Sequence, residues 1–238
     1  MQPRETITNL AITCAVILAV AVLALILKAG RPTPVAIPVA VSPVVKEDKT
    51  IVANDAEQAG RSLRKPSEKF LTFPNPDLVQ GTSGEADSFQ FRIGGEVLTF
   101  TLYFVDALDS SEAHPQRVGG QARFFGKATT AAITQTGQEA YAYVMNLLKT
   151  RAFHLLTRWE AQPNTDRYYA LILVEYEKGN WTYLQDLLVR QGFARVDGIT
   201  TPLPDDKRSV ETYLSQLRDH ARHAREKRLG IWARVKSP

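Results

Sequence analysis

Residues 87–109 read DSFQFRIGGEVLTFTLYFVDALD, and little besides a β-hairpin satisfies that pattern. Phe89, Phe91 and Ile93 alternate with Ser88, Gln90 and Arg92, the period of a half-buried strand. Gly94-Gly95 follows, two residues that accept positive φ without steric cost and so favour a tight two-residue turn. Alternation then resumes, with Leu98, Phe100, Leu102 and Phe104 on one side and Val97, Thr99, Thr101 and Tyr103 on the other.

A two-residue turn pairs Ile93 with Glu96 and therefore sets Asp87 opposite Leu102. Parity puts Asp106 on the same face, but four residues of flat strand span about 13 Å, so the hairpin alone does not join the two carboxylates. A strongly curled sheet or a bulge has to bring them together. If it does, two carboxylates near a rim make hard oxygen ligands for calcium or magnesium. If it does not, they end strands and solvate loops.

Elsewhere the chain separates into zones. Residues 1–9 form a short tail. Leu10–Leu27 is apolar and free of charge, long enough for a membrane-spanning helix, and we assign the anchor to residues 10–30. A cleaved signal peptide is the competing reading, but its apolar region is usually shorter and followed by a small-residue cleavage site, whereas Lys28-Ala29-Gly30-Arg31-Pro32 follows here. Residues 31–67 read as a tether, with Pro32, Pro34, Pro38 and Pro43 favouring an extended spacer before a charged stretch. Residues 68–238 form the folded domain. Cys14 is the single cysteine, which excludes an internal disulfide and a cysteine zinc cluster. The net charge of +4 is compatible with a polyanionic partner and does not identify one.

Within the domain, Phe70–Phe73, Ala152–Trp159 and Tyr168–Tyr176 are expected as strands. Gln138–Lys149, Trp181–Arg190 and Lys207–Arg228 are expected as helices, the first with Ala140, Tyr143, Val144, Leu147 and Leu148 on one side. The 110–136 segment holds Glu112, His114, Arg117, Arg123 and Phe124-Phe125, and reads either as a substrate-facing element or as a surface excursion. Arg218, Arg222 and Arg225 share a face of the last helix, a solvated surface or an electrostatic guide for nucleic acid.

Several short runs occur in a telling order: Val105-Asp106-Ala107-Leu108-Asp109, Thr136-Gly137-Gln138-Glu139-Ala140, Asp166-Arg167-Tyr168-Tyr169-Ala170, Leu187–Ala194 and Gly230-Ile231-Trp232. Together they resemble the staphylococcal nuclease (thermonuclease) family over roughly residues 70–233. The resemblance implies an α+β domain, an OB-fold-type five-stranded barrel with about three packed helices, here preceded by a single N-terminal transmembrane helix.

It also implies a calcium-dependent phosphodiesterase acting on single-stranded or denatured DNA and RNA, with magnesium as the other candidate ion. Asp87 and Asp106 match the metal ligands, Arg167 matches the second phosphate-binding arginine, and Asp109 stands where the family has the glutamate that assists water, with Glu112 the alternative base. The match is imperfect. Thr101 stands where the first arginine belongs, and a hydroxyl supplies neither charge nor a bidentate fork. Arg92, Arg117 and Arg123 are the candidates to replace it from another element. Leu108 replaces a proline, and Glu85-Ala86-Asp87-Ser88 alters the turn before the hairpin. Two functions follow: a membrane-anchored, metal-dependent nuclease weakened at its active site, or a non-catalytic barrel that binds nucleic acid or protein. The near-balanced positive charges around Leu10–Leu27 do not orient the anchor; by analogy with the family, the domain is expected outside the cytoplasm.

Overall fold

The computed structural model describes residues 65–79, 84–204 and 208–235. The expected tail, anchor and nearly all of the tether, with Cys14, lie outside the described residues. Among the described residues no helix is long and apolar enough to cross a membrane.

The hairpin forms as its pattern requires. β3 (Ser88–Ile93) pairs antiparallel with β4 (Glu96–Leu102), Ile93 opposite Glu96 and Ser88 opposite Thr101. Gly94 and Gly95 take φ of 56° and 80°, so the turn needs both glycines. The amide of Leu102 donates to the Asp87 carbonyl at 2.9 Å, extending the ladder to the predicted Asp87–Leu102 position.

A curled sheet grows from this hairpin. β1 (Leu71–Pro74) and β2 (Asp77–Val79) precede it; β6 (Phe153–Ala161), β7 (Arg167–Glu177) and β8 (Asn180–Tyr183) follow. The order is β1-β6-β7-β4-β3-β2, with β8 on β7 and β4 parallel to β7. Its two end strands are neighbours in sequence, separated by Asn75 and Pro76, where Asn75 turns the chain with φ of 43°. Counting β1–β2 as one bent strand and β8 as an appended ribbon leaves five strands curling round a shared core. Phe91, Phe100, Leu155 and Ile172 are fully buried inside it.

Among the described residues four α-helices pack with the sheet, giving the α+β class. α1 (Pro115–Phe124) and α2 (Thr130–Thr150) arise after β5 (Val105–Ala107); α3 (Leu184–Arg190) leads to β9 (Ala194–Val196), which pairs with β5; α4 (Val210–Glu226) precedes a 3-10 turn, Gly230–Ala233. α2 begins eight residues before the expected Gln138. The Thr129 side chain caps it by accepting from the Ala132 amide, and Ala132, Ile133, Thr136 and Gly137 prolong its buried face. Trp181 belongs to β8 rather than to a helix.

The segment after Asp109 is therefore two structured pieces. α1 starts with Pro115 at its first turn, where the missing amide costs nothing, but Gly119 and Gly120 weaken its interior by roughly 1 kcal/mol each relative to alanine. Packing holds it instead: Val118, Ala122 and Phe125 form a second core with Leu108, Ile133 and Ile231. The leucine at position 108 thus has a structural reason, since its side chain anchors this added helix.

Candidate nucleic-acid site

The gap between Asp87 and Asp106 is closed by a backbone reversal. β4 ends at Leu102, Phe104 takes φ of 71°, and β5 sets off in a new direction. A buried aromatic residue in the left-handed region is costly, about 1–3 kcal/mol. It is held there by its amide donating to Ile199 O at 2.9 Å and its carbonyl accepting from the Asp197 amide at 3.1 Å. The reversal carries β5 back past the start of β3, so that the Ala107 amide donates to Asp87 Oδ2 at 2.7 Å.

Around this junction lies an open cleft of about 360 Å³. Glu85, Asp87, Asp106, Thr101, Gln162, Arg117, Arg167 and Arg195 line it. Glu85 and Asp87 come from the segment just before β3; Thr101, Asp106, Arg167 and Arg195 come from β4, β5, β7 and β9, Arg117 from α1, and Gln162 from the loop after β6. Arg167 opens β7, which the parallel pairing Thr99–Arg167 sets beside β4. Its Nη1 lies 3.2 Å from Glu85 Oε2 and 3.2 Å from Ser88 Oγ. Arg195 stands directly across the β5–β9 ladder from Asp106 and reaches its Oδ2 at 2.7 Å. Its guanidinium also lies over the ring of Phe124, which is 54% exposed.

Arg117 occupies the centre. Its Nη2 is 2.8 Å from Asp106 Oδ1, 3.5 Å from the Ala107 carbonyl and 3.7 Å from Asp87 Oδ2. Its Nη1 is 3.5 Å from Glu85 Oε1, and its Nε is 3.3 Å from Asp109 Oδ2. One turn along α1, Gln121 completes the arrangement by donating to Asp106 Oδ2 and the Ala107 carbonyl and accepting from the Asp109 amide.

The electrostatics follow from this crowding. Burial pushes the Asp87 carboxyl up from 3.8 to about 7, and repulsion from Asp106 and Glu85 adds to it, while Arg117 and the Ala107 amide pull the other way. Burial also raises Asp109, against the pull of Arg117. Burial works against the charge on Arg117, but Asp87, Asp106, Asp109 and Glu85 together outweigh it and hold the guanidinium well above its ordinary value.

Asp87 makes the fold sensitive to pH. Below 3.8 both folded and unfolded chains carry a protonated Asp87; as pH rises toward 7 the unfolded chain ionises first. Stability therefore falls through that window, by at most roughly 4 kcal/mol for a shift of this size. Asp87→Asn can still accept from the Ala107 amide. Urea unfolding from pH 4 to 8 should give a markedly flatter stability profile for Asp87→Asn than for wild type; equal slopes would show that Asp87 is not the buried acid responsible.

Of the residues singled out from sequence, Asp87, Asp106 and Arg167 meet in one cleft. Asp109 does not line it: it is 3% exposed, and its Oδ2 is buried behind Arg117 without a hydrogen bond. Thr101 lines the cleft and donates to Gln162 Oε1 at 3.3 Å. Of the three replacement arginines, Arg117 enters the cleft, while Arg92, Arg123 and also Glu112 are exposed and outside its lining. Arg195, Gln121 and Glu85 were not foreseen as site residues.

For a divalent cation the oxygens are of the right kind. The Asp87 and Asp106 carboxylates and the Ala107 carbonyl converge on one point, as hard cations require. That point is taken by the protein's own guanidinium. Among the described residues no group of three His, Cys, Asp or Glu side chains is arranged to hold a metal, so the backbone carbonyl is essential to the set.

The curled sheet thus gathers three arginines and three carboxylates at one open cleft. The chain belongs to the staphylococcal nuclease homologue family, which it matches over residues 99–234, more than half its length. No curated protein matches it. Family domains bind nucleic acids and are typically calcium-dependent, so membership assigns a nuclease or nucleic-acid-related function. The match begins inside β4; Asp87 and Glu85 precede it and are tied to the family region by the hairpin.

Proposed function

We propose that the chain is a phosphodiester hydrolase acting on single-stranded or denatured DNA and RNA, with the cleft between β4, β5, β7 and α1 as its active site. The observation that supports this most is the convergence of Asp87, Asp106, Arg117, Arg167 and Arg195 from five separate segments on one open cleft. Such convergence is expensive to maintain unless the charges meet a ligand.

Arg167 and Arg195 present planar forks suited to phosphate oxygens, and Glu85, bonded to Arg167, fixes the orientation of that fork. The exposed Phe124 ring beside Arg195 offers a face on which an unpaired base can stack. Asp87, Asp106 and the Ala107 carbonyl would hold calcium or magnesium, which when bound supplies positive charge to polarise the phosphodiester. Asp109 is assigned to water activation, a role that needs Arg117 out of its way. We further propose that residues 10–27 anchor the chain in a membrane with the domain outside the cytoplasm; the uncharged apolar run supports the anchor.

Two observations favour a second reading, a barrel that binds nucleic acid without cutting it: Thr101 in place of the first arginine, and Arg117 neutralising the carboxylates. The full-length chain, incubated with denatured DNA or RNA plus calcium, magnesium or chelator, separates the two. Metal-dependent cutting abolished in Asp106→Ala supports the hydrolase. Absence of cutting together with salt-dependent binding by fluorescence anisotropy would replace it with the binding module.

A further inference from the structure

The geometry points to Arg117 as a built-in competitor for the cation position: we propose that this guanidinium and a divalent cation are alternative occupants of one oxygen cage. The inference deepens the reading above and rests on Asp87 and Asp106 forming a cation site.

Three observations carry it. One nitrogen, Arg117 Nη2, contacts the three oxygens that would ligate an ion, at 2.8, 3.5 and 3.7 Å. Two positive charges cannot share that point, because their repulsion in a partly desolvated cleft far exceeds thermal energy. Second, Asp109 Oδ2 is buried, has no hydrogen bond and is aimed at Arg117 Nε from 3.3 Å. That ion pair lacks hydrogen-bond geometry, so it holds Arg117 less firmly than a charge-assisted hydrogen bond would, and an incoming water could supply the bond that Asp109 Oδ2 lacks. Third, Arg117 has somewhere to go. Its side chain is 33% exposed, and it projects from α1 into the same open cleft where Thr101 leaves the first arginine's place without positive charge.

The plug comes from the segment between β5 and α2, whose second core holds α1 in place even though Gly119 and Gly120 weaken the helix. Entry of an ion would free Arg117 to face the phosphate, so one residue would serve both as occupant of the oxygen cage and as replacement for the first phosphate-binding arginine.

Competition has a simple signature. If Arg117 fills the cage most of the time, apparent calcium affinity is lowered by the fraction of time the cage is free. Isothermal calorimetry on the full-length chain should therefore show Arg117→Met binding calcium at least about 10-fold more tightly than wild type, with Arg117→Lys much closer to wild type because it keeps a cation on the same stem. Equal affinity of wild type and Arg117→Met, including no detectable binding by either at millimolar calcium, would overturn the proposal. Near-ultraviolet circular dichroism establishes that the variants are folded. Should Arg117→Met not fold, the wild-type chain supplies the test. Its Arg117 Nε–Hε resonance should shift in step with calcium addition, and a resonance unmoved up to millimolar calcium would equally overturn the proposal. Cleavage is not needed for either readout, so a protein that never cuts nucleic acid but shows the competition would sink the hydrolase reading and leave the plug standing.

Discussion

Gly137→Ala should destabilise the domain by about 2–3 kcal/mol, the cost of a buried overpacking that cannot relax, and lower the melting temperature by roughly 5–10 °C for a domain of this size. On helix propensity alone the sign would be the reverse, since alanine outranks glycine in a helix interior by about 1 kcal/mol. The decisive fact is what the new methyl group meets. A Cβ at residue 137 would lie 2.3 Å from the Asp109 carbonyl oxygen, 2.5 Å from its carbon and 2.6 Å from the Leu108 carbonyl oxygen. All three are backbone atoms, so no side chain can swing aside. Either α2 withdraws or the 108–109 loop moves, and the loop carries the Asp109 amide that Gln121 holds. Thermal unfolding followed by circular dichroism checks this, and a melting point at or above wild type would show that α2 is not pressed against the site loop.

On the proposed hydrolase reading, Arg167→Ala is expected to lower cleavage about 100- to 1,000-fold, the usual cost of one preorganised electrostatic donor at a phosphoryl centre. In binding measured without turnover, the salt slope on single-stranded DNA should fall by about 0.7, the value for one phosphate that is no longer neutralised. Folding should barely change, because Arg167 is 36% exposed and its bonds to Glu85 and Ser88 are partly solvated. Rates and salt slope both unchanged would remove Arg167 from the site; a fall in stability alone would make it structural.

What the amino-acid pattern disclosed, and what it withheld, divides along the range of the interactions involved. The hairpin register from Ile93–Glu96 to Asp87–Leu102 was readable because period-two alternation and a Gly-Gly turn leave one pairing. The meeting of Asp87 with Asp106 was not, since it depends on Phe104 adopting a conformation that its side chain disfavours and that distant backbone bonds impose. α1 was ambiguous because Gly119 and Gly120 erase its propensity while its stability comes from Leu108, Ile133 and Ile231. Arg195 was invisible for another reason: its partnership with Asp106 exists only through the β5–β9 ladder, and two three-residue strands leave no periodicity to detect.

The bent strand at the sheet's ends bears on how the domain assembles. β2 and β3 are close in sequence, but β1 must wait for β6, and the bond from the Phe153 amide to Asn75 Oδ1 spans 78 residues of sequence. Closing so long a loop is the slow kind of step in folding. The hairpin can form early and alone, whereas Arg167 reaches its place only with β7, whose neighbour β6 completes the circuit. Placement of Arg167 and pairing of the sheet's end strands are thus linked late events, so a partly folded chain would hold Glu85 without the Arg167 fork that balances it.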